Sequence, residues 1–143
     1  MTSDKQQRLL STFSADALSA LAELTMRFEF KLVSAQISPP DMWITLKNRH
    51  GVDLTIDFEW GALISFIVSK KSRFNLRERH NLGPLVAARS GRGSVLFHEP
   101  FLDFERDRAA MIMRAAAKEV AELLPDVLAG DFSPFSTLRD QES

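Results

Sequence analysis

Three carboxylates fall at even spacings within the segment Val52 to Trp60: Asp53, Asp57 and Glu59. Acidic side chains held on one surface could bind a hard cation, move a proton or pair with a basic partner. Spacing decides among these. Along an extended strand at ~3.3 Å per residue, Asp57 and Glu59 lie roughly 7 Å apart, and Asp53 lies ~13 Å from Asp57. A tight metal site would therefore need ligands from adjoining strands. Those offer Thr45, Lys47, Asn48 and Ser65, and no second group of carboxylates. The pattern favours a solvated strand face, or a recognition surface for a basic partner that needs only charge and shape.

Other constellations are weaker. Glu29-Phe30-Lys31 matches the E-x-K element of metal-dependent nucleases, but the aspartates Asp53 and Asp57 follow it, whereas those nucleases place theirs before it. The imidazoles are His50, His80 and His98. None has a second histidine at a ligand spacing, and no G-x-S-x-G turn supports a serine nucleophile. Ser90-Gly-Arg-Gly-Ser94 could cradle an anion through backbone N–H groups, yet it lacks both the phosphate-loop and the dinucleotide patterns. Arg73, Arg77, Arg79, Arg89 and Arg92 form a dense arginine cluster with Phe74 interleaved. Planar guanidinium forks pair carboxylates bidentately, which suits a protein interface. Trp43 and Trp60 border a hairpin and read as core or core edge, although Trp is also a frequent interface anchor.

Composition narrows the classes. At 143 residues the chain reads as a single globular domain spanning 1–143, with 45% hydrophobic and 26% charged residues. With no cysteine, disulfides, thiolate metal sites and cysteine nucleophiles are excluded. The N-terminus carries no apolar signal region and no run is long enough to span a bilayer, so a cytoplasmic protein without a membrane partner is expected. Residues 61–98 hold seven Lys/Arg against one Asp/Glu, between two acidic flanks, while net charge is only −1. A basic band with no overall excess argues against general nucleic-acid binding.

The elements that must position these groups are legible from periodicity. Residues 1–13 read as a polar, frayed start. A helix is expected from Ser14 to Arg27, with Leu18, Leu21, Ala22, Thr25 and Met26 as its apolar stripe. A first strand is expected from Phe28, where Phe28, Phe30 and Leu32 alternate with Glu29, Lys31 and Val33, until Ser38-Pro39-Pro40-Asp41 ends it. Further strands are expected over Trp43–Asn48, Val52–Trp60 and Leu63–Ser69. In the third, Val52, Leu54, Ile56, Phe58 and Trp60 alternate with Asp53, Thr55, Asp57 and Glu59, which means one buried and one wet face. Residues 70–92 are a loop or short helix, and Val95–Phe97 could add a fifth strand. Ala109, Ile112, Met113, Ala116, Val120, Leu123 and Leu124 mark a long amphipathic helix. Pro125 interrupts it, and Phe132, Phe135 and Leu138 form a docking tail. The fold class is therefore α+β, two-layered. Its sheet is an antiparallel meander of four or five strands, with an N-terminal helix and a long C-terminal helix on one face.

The segments Trp43-Ile-Thr-Leu-Lys-Asn-Arg-His-Gly-Val-Asp-Leu-Thr-Ile-Asp-Phe-Glu-Trp60 and Leu123-Leu-Pro-Asp-Val-Leu-Ala-Gly-Asp-Phe-Ser133 resemble parts of small bacterial proteins grouped with the immunity proteins of contact-dependent and polymorphic toxin systems. The resemblance covers about a third of the chain and its motifs are structural. It implies a non-enzymatic protein that neutralises one cognate toxin or effector by direct binding, without cofactor or metal. It carries over no functional residues. From the residues themselves, the partner-binding candidates are the acidic face Asp53, Asp57 and Glu59 and the basic set Arg73, Arg77, Arg79, His80, Arg89 and Arg92. The alternatives are a secretion-chaperone-like protein, or a ligand-binding domain or enzyme with a pocket near residues 70–98, where His80 or His98 would meet carboxylates. Oligomeric state is left open.

Overall fold

The computed structural model describes residues 3–71 and 74–142 of the chain. The first helix, α1 (Asp4–Ala20), begins ten residues earlier than the sequence suggests. Ser3 and Gln6 form a reciprocal capping box: the Ser3 hydroxyl accepts the Gln6 N–H at 3.1 Å, and the Gln6 side chain accepts the Ser3 N–H at 3.3 Å. Leu10, Phe13, Ala17 and Ala20 are its buried stripe. The expectation of a frayed start is thus corrected, and Ser14 lies within the helix rather than at its start. Leu21 ends α1, and α2 (Ala22–Arg27) starts on a new register, burying Leu24 while Met26 stays exposed.

The first strand also shifts. Glu29 takes a left-handed φ of 59°, so the chain is still turning at Phe28–Phe30 and β1 runs Lys31–Ser38, with a bulge at Val33. The strands β2 (Asp41–Lys47), β3 (Asp53–Glu59) and β4 (Ile64–Lys71) follow closely where alternation places them. A fifth strand, β5 (Arg77–Asn81), completes an antiparallel sheet in the order β1-β2-β3-β4-β5. It lies in the segment expected to be irregular. The expected strand at Val95–Phe97 is instead a turn, closed by the Phe97 N–H on the Ser94 carbonyl at 3.0 Å.

One face of the sheet is apolar and covered. Met42, Ile44, Leu46, Leu54, Ile56 and Phe58 are fully buried on it. Against it lie α1 and the long α4 (Arg106–Leu123), whose buried side is Ala109, Ile112, Met113, Ala116, Ala117, Val120 and Ala121. Those alanines let α4 sit close to α1, α2, α3 (Gly83–Ser90) and β4. Phe58 anchors an aromatic cluster, 4.9 Å from Phe101, 5.3 Å from Phe104 and 5.9 Å from Phe13 by ring centroid. The loop carrying Phe101 is pinned to the β3–β4 turn, where the Phe101 N–H donates to the Ala62 carbonyl at 2.8 Å.

Pro125 stops α4 and opens the single turn α5 (Pro125–Leu128). Gly130, at φ 105°, redirects the chain into α6 (Ser133–Glu142). Phe132 and Phe135 are then buried, and the Phe135 ring stacks on His80 of β5 at 3.9 Å and 7°. The C-terminal tail therefore covers the core-facing side of the last strand, at His80.

Candidate functional site: the open face of the sheet

Strand parity places Asp41, Trp43, Thr45 and Lys47 of β2 on the face opposite the core, because Met42, Ile44 and Leu46 take the core side. Cross-strand register then builds rows. Asp41 faces Glu59; Trp43 faces Asp57, which faces Ser65; Thr45 faces Thr55, which faces Ile67. Lys47 faces Asp53, Asp53 faces Ser69, Ser69 faces Arg79, and Lys71 faces Arg77. The face thus runs from an acidic end to a basic end, over the seven residues of β2 or roughly 20 Å.

At its middle and acidic end lies a shallow depression of about 420 Å³ lined by Asp41, Trp43, Thr45, Thr55, Asp57 and Arg79. The two threonine hydroxyls bond each other at 3.1 Å. One carboxylate oxygen of Asp41 and one of Asp57 are buried with no hydrogen-bond donor. Burial, followed by the charge of Asp41, its hydrogen bond and the charge of Glu59, pushes the Asp57 carboxyl up to about 6, against a downward pull from Arg79. Below that pH, a proton held by Asp57 supplies the donor the pair otherwise lacks.

Asp53, Asp57, Glu59, Arg77 and Arg79 therefore share one face, which merges the acidic surface with two of the five arginines. Arg77 Nη1 donates to Asp53 Oδ2 and to Ser69 Oγ, each at 2.8 Å. The other basic candidates lie elsewhere. His80 points to the core side, packed under Phe135, with Nε2 at 3.0 Å from Glu78 Oε1. Arg89, on α3, forms two 2.8 Å bonds to Asp126 and one of 2.7 Å to the Leu123 carbonyl, tying α3 to the α4–α5 junction. Arg92 is exposed in the turn after α3, and Arg73 lies outside the described residues.

His80 meets one carboxylate, that of Glu78 beside it on β5, and among the described residues His98 meets none. His98 Nε2 accepts the Ile64 N–H at 3.1 Å and its Nδ1 lies 2.7 Å from the Glu99 carbonyl, which fixes the neutral ring with its proton on Nδ1 and commits both nitrogens to the backbone. Near residues 70–98 there is a groove of about 380 Å³ between α3 and α6, lined by Leu85, Arg89 and Leu138 among others. Among the described residues, no three His, Asp or Glu side chains are grouped to hold a metal. No helix there is long and apolar enough to cross a membrane.

No family model, no curated protein and no solved structure matches the chain. The site therefore rests on its own chemistry. Sequence reasoning missed Asp41, and it put Trp43 at the core or its edge, whereas Trp43 stands half-buried on the polar face. The signal was present: Trp43 has the parity of Thr45 and Lys47, while Met42, Ile44 and Leu46 hold the apolar parity.

Proposed function

We propose that this chain is a non-catalytic protein-binding module that seats one protein partner on the open face of its sheet. Its most concrete form is an immunity protein that neutralises a cognate toxin or effector in the cytoplasm. The observation that carries the reading is the face itself. Five antiparallel strands present a half-buried tryptophan between carboxylates and an arginine, with the helices packed on the opposite side. Half-buried Trp and Arg are the residue types that anchor interfaces, and charge of both signs at opposite ends specifies orientation. The absence of cysteine suits a reducing compartment.

Affinity purification of the tagged protein from its native cells, with mass spectrometry of what stays bound, tests the reading. One stoichiometric protein partner is expected, toxic when expressed alone. Trp43→Ala should weaken that complex by about 2 kcal/mol or more, as hot-spot truncation does. Two charge-reversed pairs, Asp53→Lys with Asp57→Lys and Arg77→Glu with Arg79→Glu, should each weaken it while the chain still melts cooperatively. Retention of full affinity in all three variants would remove this face as the docking surface.

A further inference from the structure

At the basic end of the same face, the β2–β3 turn and the end of the β4–β5 hairpin enclose a pocket of about 230 Å³. Lys47, Lys70, Lys71 and Arg77 line it, with His50 and one carboxylate, Asp53. On the open face, Lys47, Lys71 and Arg77 against Asp53 leave an excess of two positive charges, because Lys70 has the parity of the buried Ile64, Phe66 and Val68. Asp53 is already engaged by Arg77 Nη1. Lys70 turns its ammonium to the Gly130 carbonyl and the Phe132 ring, with Glu78 across from it on β5. Among the described residues, neither Lys47 nor Lys71 has an ion-pair partner. Lys31 stands directly across from Lys47 on β1 and adds to the repulsion.

Like charges gathered around a concavity oppose one another and create a positive potential that an anion relieves. The pocket is also partly preorganised. Asp53 and Ser69 hold Arg77 through Nη1, and among the described residues its Nη2 and Nε make no hydrogen bond and remain as a fork. The turn beside it is fixed by Asn48, whose side-chain oxygen accepts the N–H of His50 at 3.0 Å and of Val52 at 3.1 Å. A guanidinium fork with two mobile ammonium groups suits a small oxyanion of more than one negative charge and several acceptor oxygens.

We propose that this pocket binds a phosphate-class dianion: inorganic phosphate or a phosphate monoester. The site goes beyond the partner reading, and its test uses the chain alone. Inorganic phosphate is titrated into the ¹⁵N-labelled protein at constant ionic strength, with chloride as the reference salt. Expected are saturable shifts confined to the amides around Gly51, Asp53, Lys71 and Arg77. Lys47→Ala combined with Lys71→Ala should weaken binding by roughly tenfold or more, whereas Glu59→Gln, at the far end of β3, should leave it unchanged. Thermal melting of both variants verifies the fold. Tighter binding of O-phosphoserine than of phosphate assigns the source to a phosphorylated side chain, and equal affinity assigns free phosphate. Shifts that chloride reproduces, an unaffected double variant, or a short single-stranded DNA that outcompetes phosphate would each overturn the assignment.

Discussion

Burial beside Asp41 holds the Asp57 carboxyl at about 6, while the hydrogen bond from Arg89 holds Asp126 below the usual carboxylate range. The two residues make opposite demands on pH. A raised carboxyl pKa means that the folded chain keeps a proton the unfolded chain has released. Asp57 thus favours folding at low pH, and that contribution is lost as pH rises from about 4 to about 6. Asp126 contributes stability that is present above the unfolded value near 4 and lost as pH falls through its depressed folded value. Asp57→Asn should therefore raise stability at pH 8 by about 1 kcal/mol, a figure discounted for the group's access to solvent. It should change little at pH 4. Urea denaturation at both values checks this, and an equal gain at each would show that the charge of Asp57 costs nothing. Arg89→Ala should lower stability by about 1 kcal/mol at pH 7, since the ion pair is partly exposed. The loss should shrink once acid has protonated Asp126.

Among the elements, the β2–β3 turn depends most on one side chain. Asn48 is buried; its amide nitrogen donates to the Leu128 carbonyl at 2.8 Å, and its oxygen accepts two turn N–H groups. Gly51, at φ 77°, gives the left-handed step that closes this turn. Asn48→Ala would leave buried donors and an acceptor unpaired, and it should cost about 2–3 kcal/mol in chemical denaturation. The strands that the sequence revealed were those with alternating apolar residues, β2 and β3 above all, because half-burial writes itself as a period of two. Arg77-Glu-Arg-His-Asn81 has no such pattern. It is a strand because β4 offers it a backbone ladder and because Phe132 and Phe135, some fifty residues on, cover His80. Likewise, the start of α1 depends on a capping pair, Ser3 and Gln6, ahead of a buried stripe that begins only at Leu10. The site was half legible for the same reason. Parity assigned Asp53, Asp57 and Glu59 to one face, but only the pairing of β5 with β4 could bring Arg77 and Arg79 there and send His80 to the other side.

Across the whole molecule, charge is graded along the open face, from Asp41, Asp57 and Glu59 at one end to Lys47, Lys71 and Arg77 at the other. A partner of complementary grading would be steered into one orientation before contact. Its association rate should then fall as salt is raised, while the dissociation rate responds mainly to Trp43→Ala; stopped-flow mixing at a series of ionic strengths separates the two. Salt-independent association would show that the gradient plays no part in the encounter.

The tail that caps β5 has a consequence for how the protein is made. All five strands have been synthesised once Asn81 leaves the ribosome, and they pair only with neighbours in chain order, so the sheet can assemble early. Its apolar side, however, then has only α1 and α2 to cover it. Helix α4, and then Phe132 and Phe135, emerge dozens of residues later. Translation thus passes through an interval in which a nearly finished sheet shows a greasy underside, the kind of surface that chaperones hold and that aggregation exploits. The speed at which residues 82–135 are added sets how long that interval lasts.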